Sequence, residues 1–420
     1  MDQGGSNKGL NRFAMFVVFA TLCLIGMGGL VTSREAGLAV HDWPTSFGYN
    51  MFLLPLDQWL GKFGIFEEHS HRLMASLVGL LTAGLAGWLW ARESTGHQRN
   101  MALAGIVLTL GLMGVRTPSV FVAMALLAVI IAGISGWHIY QDRMALRWWG
   151  TLAYSMVIIQ GVLGGLRVTQ FNDQIGIFHG VLAQLFLIVL VCIAVFSSRW
   201  WNVSPAANGA GEMAPKIIRF HFVAAVVAIL LQLVLGATMR HQHAGLAVWD
   251  FPKAHGQWWP ATDAASMQQY RRDRATLQND LNQQKRVTDA EGRPMIFLST
   301  GRDLQAEHVI LHMLHRVGAL LILGLVLGAV VLAHKRLGGR HCLSRLSLVW
   351  LTLIVVQGIL GALTVLKYKP ADIATAHVVC GALSLLAGVI ATIISHAKCL
   401  PPATRENSQG IAMARVEAIG

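Results

Sequence analysis

The sequence predicts an all-α polytopic membrane protein: two duplicated four-helix bundles in parallel pseudo-repeat, with an extra helical pair inserted in the first half. Three observations predict it. The 420 residues are 54% hydrophobic and only 13% charged, a balance found in multi-pass membrane proteins rather than in soluble domains. Apolar runs recur at the length needed to cross a bilayer. Finally, four landmarks of the first half return in the second, in the same order.

The runs are taken in chain order. Crossing about 30 Å of hydrocarbon takes roughly 20 helical residues. Stretches of that kind lie near 13–33, 71–90, 119–139, 147–167, 176–197, 217–239, 309–333, 346–366 and 375–396. A shorter one, 101–115, is separated from its neighbour only by Arg116-Thr117-Pro118, a combination that favours a turn. If it also crosses, ten helices result and both termini lie on one side. No small-x-small cleavage site follows 13–33, which continues as Gly28-Gly29-Leu30-Val31-Thr32, so the expectation is an uncleaved anchor.

The net charge of +12 records topology rather than affinity for nucleic acid. Lys8 and Arg12, Arg92 and Arg99, Arg143 and Arg147, Lys216 and Arg219, Lys335, Arg336, Arg340, Arg345 and Lys398 all fall on one face of a ten-helix arrangement. By the positive-inside rule that face is cytoplasmic. A single crossing over 101–139 would put the dense cluster 335–345 outside. The five cysteines, 23, 192, 342, 380 and 399, show no metal spacing, and a disulfide framework is not expected.

The repeat carries most of the organisation. Gly37-Leu38-Ala39-Val40-His41-Asp42-Trp43-Pro44 matches Gly245-Leu246-Ala247-Val248-Trp249-Asp250-Phe251-Pro252. His71-Arg72 matches His315-Arg316, Gln160-Gly161-Val162-Leu163-Gly164 matches Gln357-Gly358-Ile359-Leu360-Gly361, and His179 matches His377. The pair at 101–139 then reads as an insertion. Of the two outer loops, 34–68 is short, whereas 240–307 holds a polar tract, Gln268 to Arg293, expected to form a small helical or irregular element of solvated surface.

On this topology His71, His179, His315 and His377 begin helices at one depth, two per half and from different helices. That placement suits a planar porphyrin gripped through its iron by neutral imidazoles from opposite faces. Glycines at 161, 164, 165, 358 and 361 allow close helix packing or macrocycle approach, and Arg72 and Arg316 suit propionates near the aqueous boundary. Each residue also has a plain reading. Histidines at helix mouths serve as interfacial hydrogen-bonding groups, and glycines as packing devices. Glu68 lies on the same helical face as His71 but equally favours a helix N-terminus, and in the second copy His312 takes its place. His69 and His312 are spare ligands or surface residues; His41, His241, His243 and His255 read as solvated loop residues.

Together, Glu-x-x-His-Arg at Glu68 to Arg72, His179, His315-Arg316, His377, the Gly-Gly-Leu-Val-Thr run and the Gln-Gly-x-Leu-Gly repeats resemble the heme A synthase family of cytochrome oxidase assembly, over about 13–396. The resemblance implies oxidation of the ring methyl of heme O to the formyl of heme A through hydroxylated intermediates. It implies a resident heme b on His315 and His377, and substrate heme O on His71 and His179. Glu68 near the reacting edge then acts as proton acceptor or electrostatic stabiliser. Implied partners are a heme O synthase (a farnesyltransferase), an electron acceptor, membrane lipid and a homo-oligomer.

The implied divisions are a cytoplasmic tail 1–12, a substrate-heme bundle 13–199, a cytoplasmic linker 200–216, a resident-heme bundle 217–396 and a cytoplasmic tail 397–420, in a multi-pass cell membrane location. Many bacterial members carry a cysteine pair in the first outer loop, whereas residues 34–68 contain none, which excludes thiol chemistry there. The competing readings are a di-heme b-type electron carrier or quinol oxidoreductase, which would use the same histidines, and a transporter built from parallel repeats.

Overall fold

In a computed structural model the described residues are 8–113, 115, 117–203, 212–283 and 303–397. Gly114, Arg116, residues 204–211 of the linker 200–216, the tract 284–302, and the tails before 8 and after 397, with Lys398 and Cys399, lie outside them. Apolar runs became helices because a backbone in hydrocarbon must satisfy its own hydrogen bonds. In chain order these are α1 (Lys8–Ser33), α2 (Ile65–Glu93), α3 (Gly96–Leu112), α4 (Pro118–Gln141), α5 (Leu146–Gln170), α6 (Asp173–Phe196) and α7 (Arg199–Val203). There follow α8 (Lys216–His241), α9 (Ala264–Gln283), α10 (Ala306–Leu337), α11 (Cys342–Leu366) and α12 (Ala371–His396).

Nine of these are long and apolar enough to cross a membrane among the described residues. The protein is an all-helical, multi-pass membrane protein. The short run 101–115 became α3, 17 residues long, and its neighbours show that it links the two ends of the bundle. At the end where α4 begins, Phe121 packs on Trp43 of the first loop with ring centroids 4.6 Å apart and planes tilted at 56°. At the other end of α4, His138 stacks on Trp148 at the start of α5, 3.9 Å away. Since α4 begins at the loop end and α2 finishes at the other, α3 must run between them.

Helices α1, α2, α5 and α6 close a ring, each packed on the next, and α8, α10, α11 and α12 close a second ring in the same order. Helices α1 and α6 of the first ring meet α8 and α12 of the second along the seam. Leu85, Leu89, Leu190 and Ile193 fill the first core, and Ile218, Phe222, Trp350 and Leu385 the second. α3 packs on α2 and α4 on α5, so the inserted pair lies against one side of the first ring.

Each ring is topped by the loop after its first helix, and the two loops share a turn. Asp42 accepts backbone N–H bonds from Phe47 and Gly48, 2.7 and 2.8 Å. Asp250 accepts the same bonds from His255 and Gly256, 2.7 and 2.9 Å. Phe47 and His255 both hold positive φ, 52° and 49°, as do Gly48 and Gly256. Burial pushes the Asp42 carboxyl up, but the bonds from Gly48, Thr45 and Phe47 outweigh it and hold the group below its ordinary range.

The polar tract of the second loop is less solvated than expected. Its first part is α9, where Met267, Tyr270 and Arg274 are buried and the first two pack with Val248, Leu304 and Val309 as a cap over the second ring. His41 is exposed as expected, but His241, His69 and His312 are buried. His241 seats directly on Gly176, where a β-carbon would lie 2.4 Å from its ring. His255 stacks on Tyr270 at 3.8 Å. Among the described residues the four cysteines are free.

Candidate functional site

One cavity of about 1680 Å³ runs beneath the two loops and is lined by His71, His179, His315 and His377 together. A pocket for one drug-sized ligand occupies roughly 300–1,000 Å³, so this space suits more than one such group. Its walls are largely apolar residues of the two rings.

Each histidine sits against a glycine of the neighbouring helix. A β-carbon at Gly28 of α1 would stand 3.1 Å from Cε1 of His71 on α2, and one at Gly164 of α5 would stand 3.4 Å from His179 on α6. In the second ring a β-carbon at Gly236 of α8 would stand 3.4 Å from His315 on α10, and one at Gly361 of α11 would stand 3.2 Å from His377 on α12. Four imidazoles are therefore cradled alike, at equivalent places in both rings. Gly161 and Gly358, also equivalent, line the cavity with open space where a side chain would stand. Gly165 serves differently: a β-carbon there would fall 2.2 Å from the Trp43 indole, which lies flat on α5.

The imidazoles suit a porphyrin iron. His315 and His377 have ring centroids 6.5 Å apart with planes at 56°. Two imidazoles bound on opposite faces of one metal at roughly 2.0–2.1 Å bring their centroids about 6 Å apart. Nδ1 of His71, His179 and His315 is buried without a hydrogen-bond partner, a costly state for a ring nitrogen that the protein alone leaves unpaired. His377 differs: its Nδ1 donates to the Gln357 carbonyl at 3.2 Å and its Nε2 lies 3.3 Å from the Gln357 amide nitrogen. Gln160, the sequence partner of Gln357, instead donates to the His179 carbonyl at 3.0 Å, and Gln232 donates to the His315 carbonyl at 2.7 Å. No cluster of three or more His, Cys, Asp or Glu able to hold a metal ion occurs among the described residues.

The charged residues divide in a way the sequence did not indicate. Glu68 is buried on the cavity wall. One of its oxygens accepts the Val40 N–H at 2.9 Å and the other accepts from Arg72 at 2.7 Å. Arg72 also donates to the carbonyls of Val40, Asp42 and Thr45, 2.6 to 3.1 Å, so its guanidinium clamps the first loop to α2. Arg316 repeats this role, donating to the carbonyls of Asp250 and Lys253 at 2.7 and 2.9 Å. Glu67, one residue earlier than Glu68, accepts from Arg34 and from the Gly64 N–H that starts α2.

Other cations line the cavity near the loops: Arg167, Arg240 and Lys369. Arg167 lies under Gly37, where a β-carbon would be 2.8 Å from its Nη1, and Arg240 donates to the Gly29 carbonyl and Ser33 hydroxyl of α1. Lys369 stands 3.8 Å from Glu35; burial lowers its pKa, Glu35 opposes this, and Arg240 adds to it. Spacing held the missed signal. Arg167 follows Gly164 by three residues and Arg240 follows Gly236 by four, so each arginine shares a helical face with a glycine that cradles a histidine.

Paired histidines along one cavity, within rings of helices long enough to cross a bilayer, define a multi-pass membrane protein with an internal histidine-lined cavity. The family model described as cytochrome oxidase assembly protein matches residues 116–389, more than half of the chain, and the chain belongs to that family. It is similar to the heme A synthase of Shouchella clausii, 25% identical over 280 residues, or 64% of this chain and 73% of the relative. The heme A synthase of Halalkalibacterium halodurans is 26% identical over 251 residues, 58% of this chain and 65% of the relative. That of Brucella anthropi is 31% identical over 122 residues, 27% of this chain and 33% of the relative.

Proposed function

We propose that the protein is a heme A synthase, an oxidoreductase that converts the ring methyl of heme O to the formyl of heme A through hydroxylated intermediates for cytochrome oxidase assembly. The observation that carries this reading, beside family membership, is two pairs of imidazoles in equivalent glycine cradles on one apolar cavity. Matching rings, loop turns and cradles support two duplicated four-helix bundles, 13–199 and 217–396, with the pair 101–139 inserted. The basic residues clustered at the ends away from the histidines support a cytoplasmic assignment of that face and of both termini.

In this reading His71 and His179 hold heme O, and His315 and His377 hold a resident heme b. A bound heme b supplies one-electron transfer. The protein's own groups do the rest. The cradled imidazoles orient the rings, the apolar walls exclude water, and Arg72, Arg316, Arg167, Arg240 and Lys369, all on the cavity wall, suit the propionates, with Arg72 and Arg316 also holding the loops. Glu68 has both oxygens accepting N–H bonds, one from Val40 and one from its ion-pair partner Arg72. This favours a role in stabilising positive charge that develops at the substrate edge.

The test is extraction and chromatography of hemes from cells that make heme O, with and without the protein, together with the optical spectrum of the purified chain. Heme A or its hydroxylated precursor should appear only with the protein. Unmodified heme O beside a strong b-type spectrum, with donor and acceptor supplied, would instead identify a di-heme electron carrier.

A further inference from the structure

The geometry points to the inserted pair α3–α4 as a receptor for the farnesyl tail of heme O. This inference rests on the heme O reading above and deepens it. A substrate porphyrin differs from a resident heme b by one large apolar substituent, so the two sites should differ beside the ring, where that substituent projects. They do. In the first ring the cavity wall includes, beside residues of α2 and α5, Leu110 of α3, Met113 at its C-terminal cap, and Phe121 and Met124 of α4. Phe121 and Met124 are buried, whereas Leu126, Val129 and Ile130 on the same helix are exposed, so α4 turns a defined face towards this chamber.

The chamber's chemistry suits a hydrocarbon. Its one phenol, Tyr154 of α5, shares a hydrogen bond with Thr109 of α3 at 2.7 Å, which pairs the polar group and ties the inserted helix to the ring wall. The four residues contributed by α3, its C-terminal cap and α4 are all apolar, so this wall offers nothing to a propionate and an apolar surface to an isoprenoid. In the second ring no helix among the described residues packs extensively over α10 and α11. There Leu320, Val355 and Ile359, which line the same cavity, are 69%, 47% and 54% exposed. The covered site takes the tailed heme and the uncovered site the tailless one.

The test uses the full chain in detergent, incubated with equal heme O and protoheme, which share iron, ring and propionates. Bound hemes are extracted and separated by chromatography, and His71→Ala is run in parallel to subtract the second site. At the first site the protein should prefer heme O at least about tenfold. Met124→Trp or Leu110→Trp, which fill the chamber, should lower heme O retention about tenfold and leave protoheme retention unchanged. Equal retention of both hemes by the unaltered protein overturns the tail receptor, as does an equal loss of both in the filled variants. Should the first site take neither heme, the substrate-site assignment itself fails and the receptor with it.

Discussion

The two rings are one scaffold carrying two surroundings. Both place histidines against glycines at equivalent helix positions, and both fold their covering loop around an aspartate that accepts two backbone N–H bonds. Both clamp that loop with the arginine that follows the first histidine. They part at four places. Glu68 of the first ring is replaced by His312, and the Trp43–Gly165 contact by Phe251 and Ala362. Gln160 bonds a backbone carbonyl where Gln357 engages the histidine itself, and α3–α4 cover only the first ring. The residues that cradle the histidines and clamp the loops are repeated, and Glu68, the Trp43–Gly165 contact and the α3–α4 cover are not. This pattern is expected when two sites must hold similar planar groups but only one must act on its occupant.

The largest test breaks the two sites separately. His315→Ala or His377→Ala should abolish the resident low-spin spectrum, because bis-imidazole ligation needs both faces. His71→Ala or His179→Ala should retain that spectrum and lose bound heme O. An unchanged low-spin spectrum in both second-ring variants would refute the ligand assignment.

The next asks whether the charged position is what distinguishes the rings. Glu68→Gln keeps the shape and one acceptor but removes the carboxylate that pairs with Arg72. Heme content measured by extraction should stay near its original value while heme A formation falls on the order of 10²–10³-fold. Undiminished heme A formation would sink a role for Glu68 in the chemistry.

A smaller contrast lies in the loop contacts. Gly165→Ala forces a methyl into the Trp43 ring and should cost about 1–3 kcal/mol, read as a lowered unfolding midpoint in detergent. Ala362→Gly, at the equivalent place in the second ring, loses only a methyl and should cost about 1 kcal/mol or less. Equal shifts would mean that the Trp43 contact confers nothing special on the first ring.

The smallest effect concerns pH. The Asp42 pKa is lowered in the folded protein from its model-peptide value of 3.8. Its contribution is therefore present above about pH 4 and lost as pH falls through the folded value. Asp42→Asn should flatten that acid-side dependence of first-loop order, followed by proteolysis at the loop, with little change near neutrality. An unaltered acid profile would show that Asp42 does not govern the turn.

The helical class was legible because composition and run length alone decide whether a segment can satisfy its backbone in hydrocarbon, and nearly every run became one helix. The repeat was legible because Gly37 to Pro44 and Gly245 to Pro252 keep their order and spacing. The four histidines stood out by position. The partners of the charged groups did not, because a sequence states that Arg72 is near Glu68 but not that its remaining donors face Val40, Asp42 and Thr45. The expectation of solvated loop histidines failed at His241 because Gly176, which makes room for it, belongs to a helix far earlier in the chain. Met267 and Tyr270 were likewise unreadable, because a short amphipathic helix inside a polar tract is buried only if another element accepts its face.

By itself, then, the sequence determined which segments are apolar enough for a membrane, that four landmarks of the first half return in order in the second, and which residue types stand at the mouths of its helices, since these follow from local hydrophobicity and spacing. Only the tertiary structure decided that one cavity joins both histidine pairs. It alone showed that Arg72 and Arg316, which line the cavity, also hold the loops, that Arg167, Arg240 and Lys369 line the cavity beside them, and that the inserted helices pack on one ring. Those are matters of which helix packs on which and of which side chain reaches an available partner first, and they depend on contacts between residues far apart in the chain.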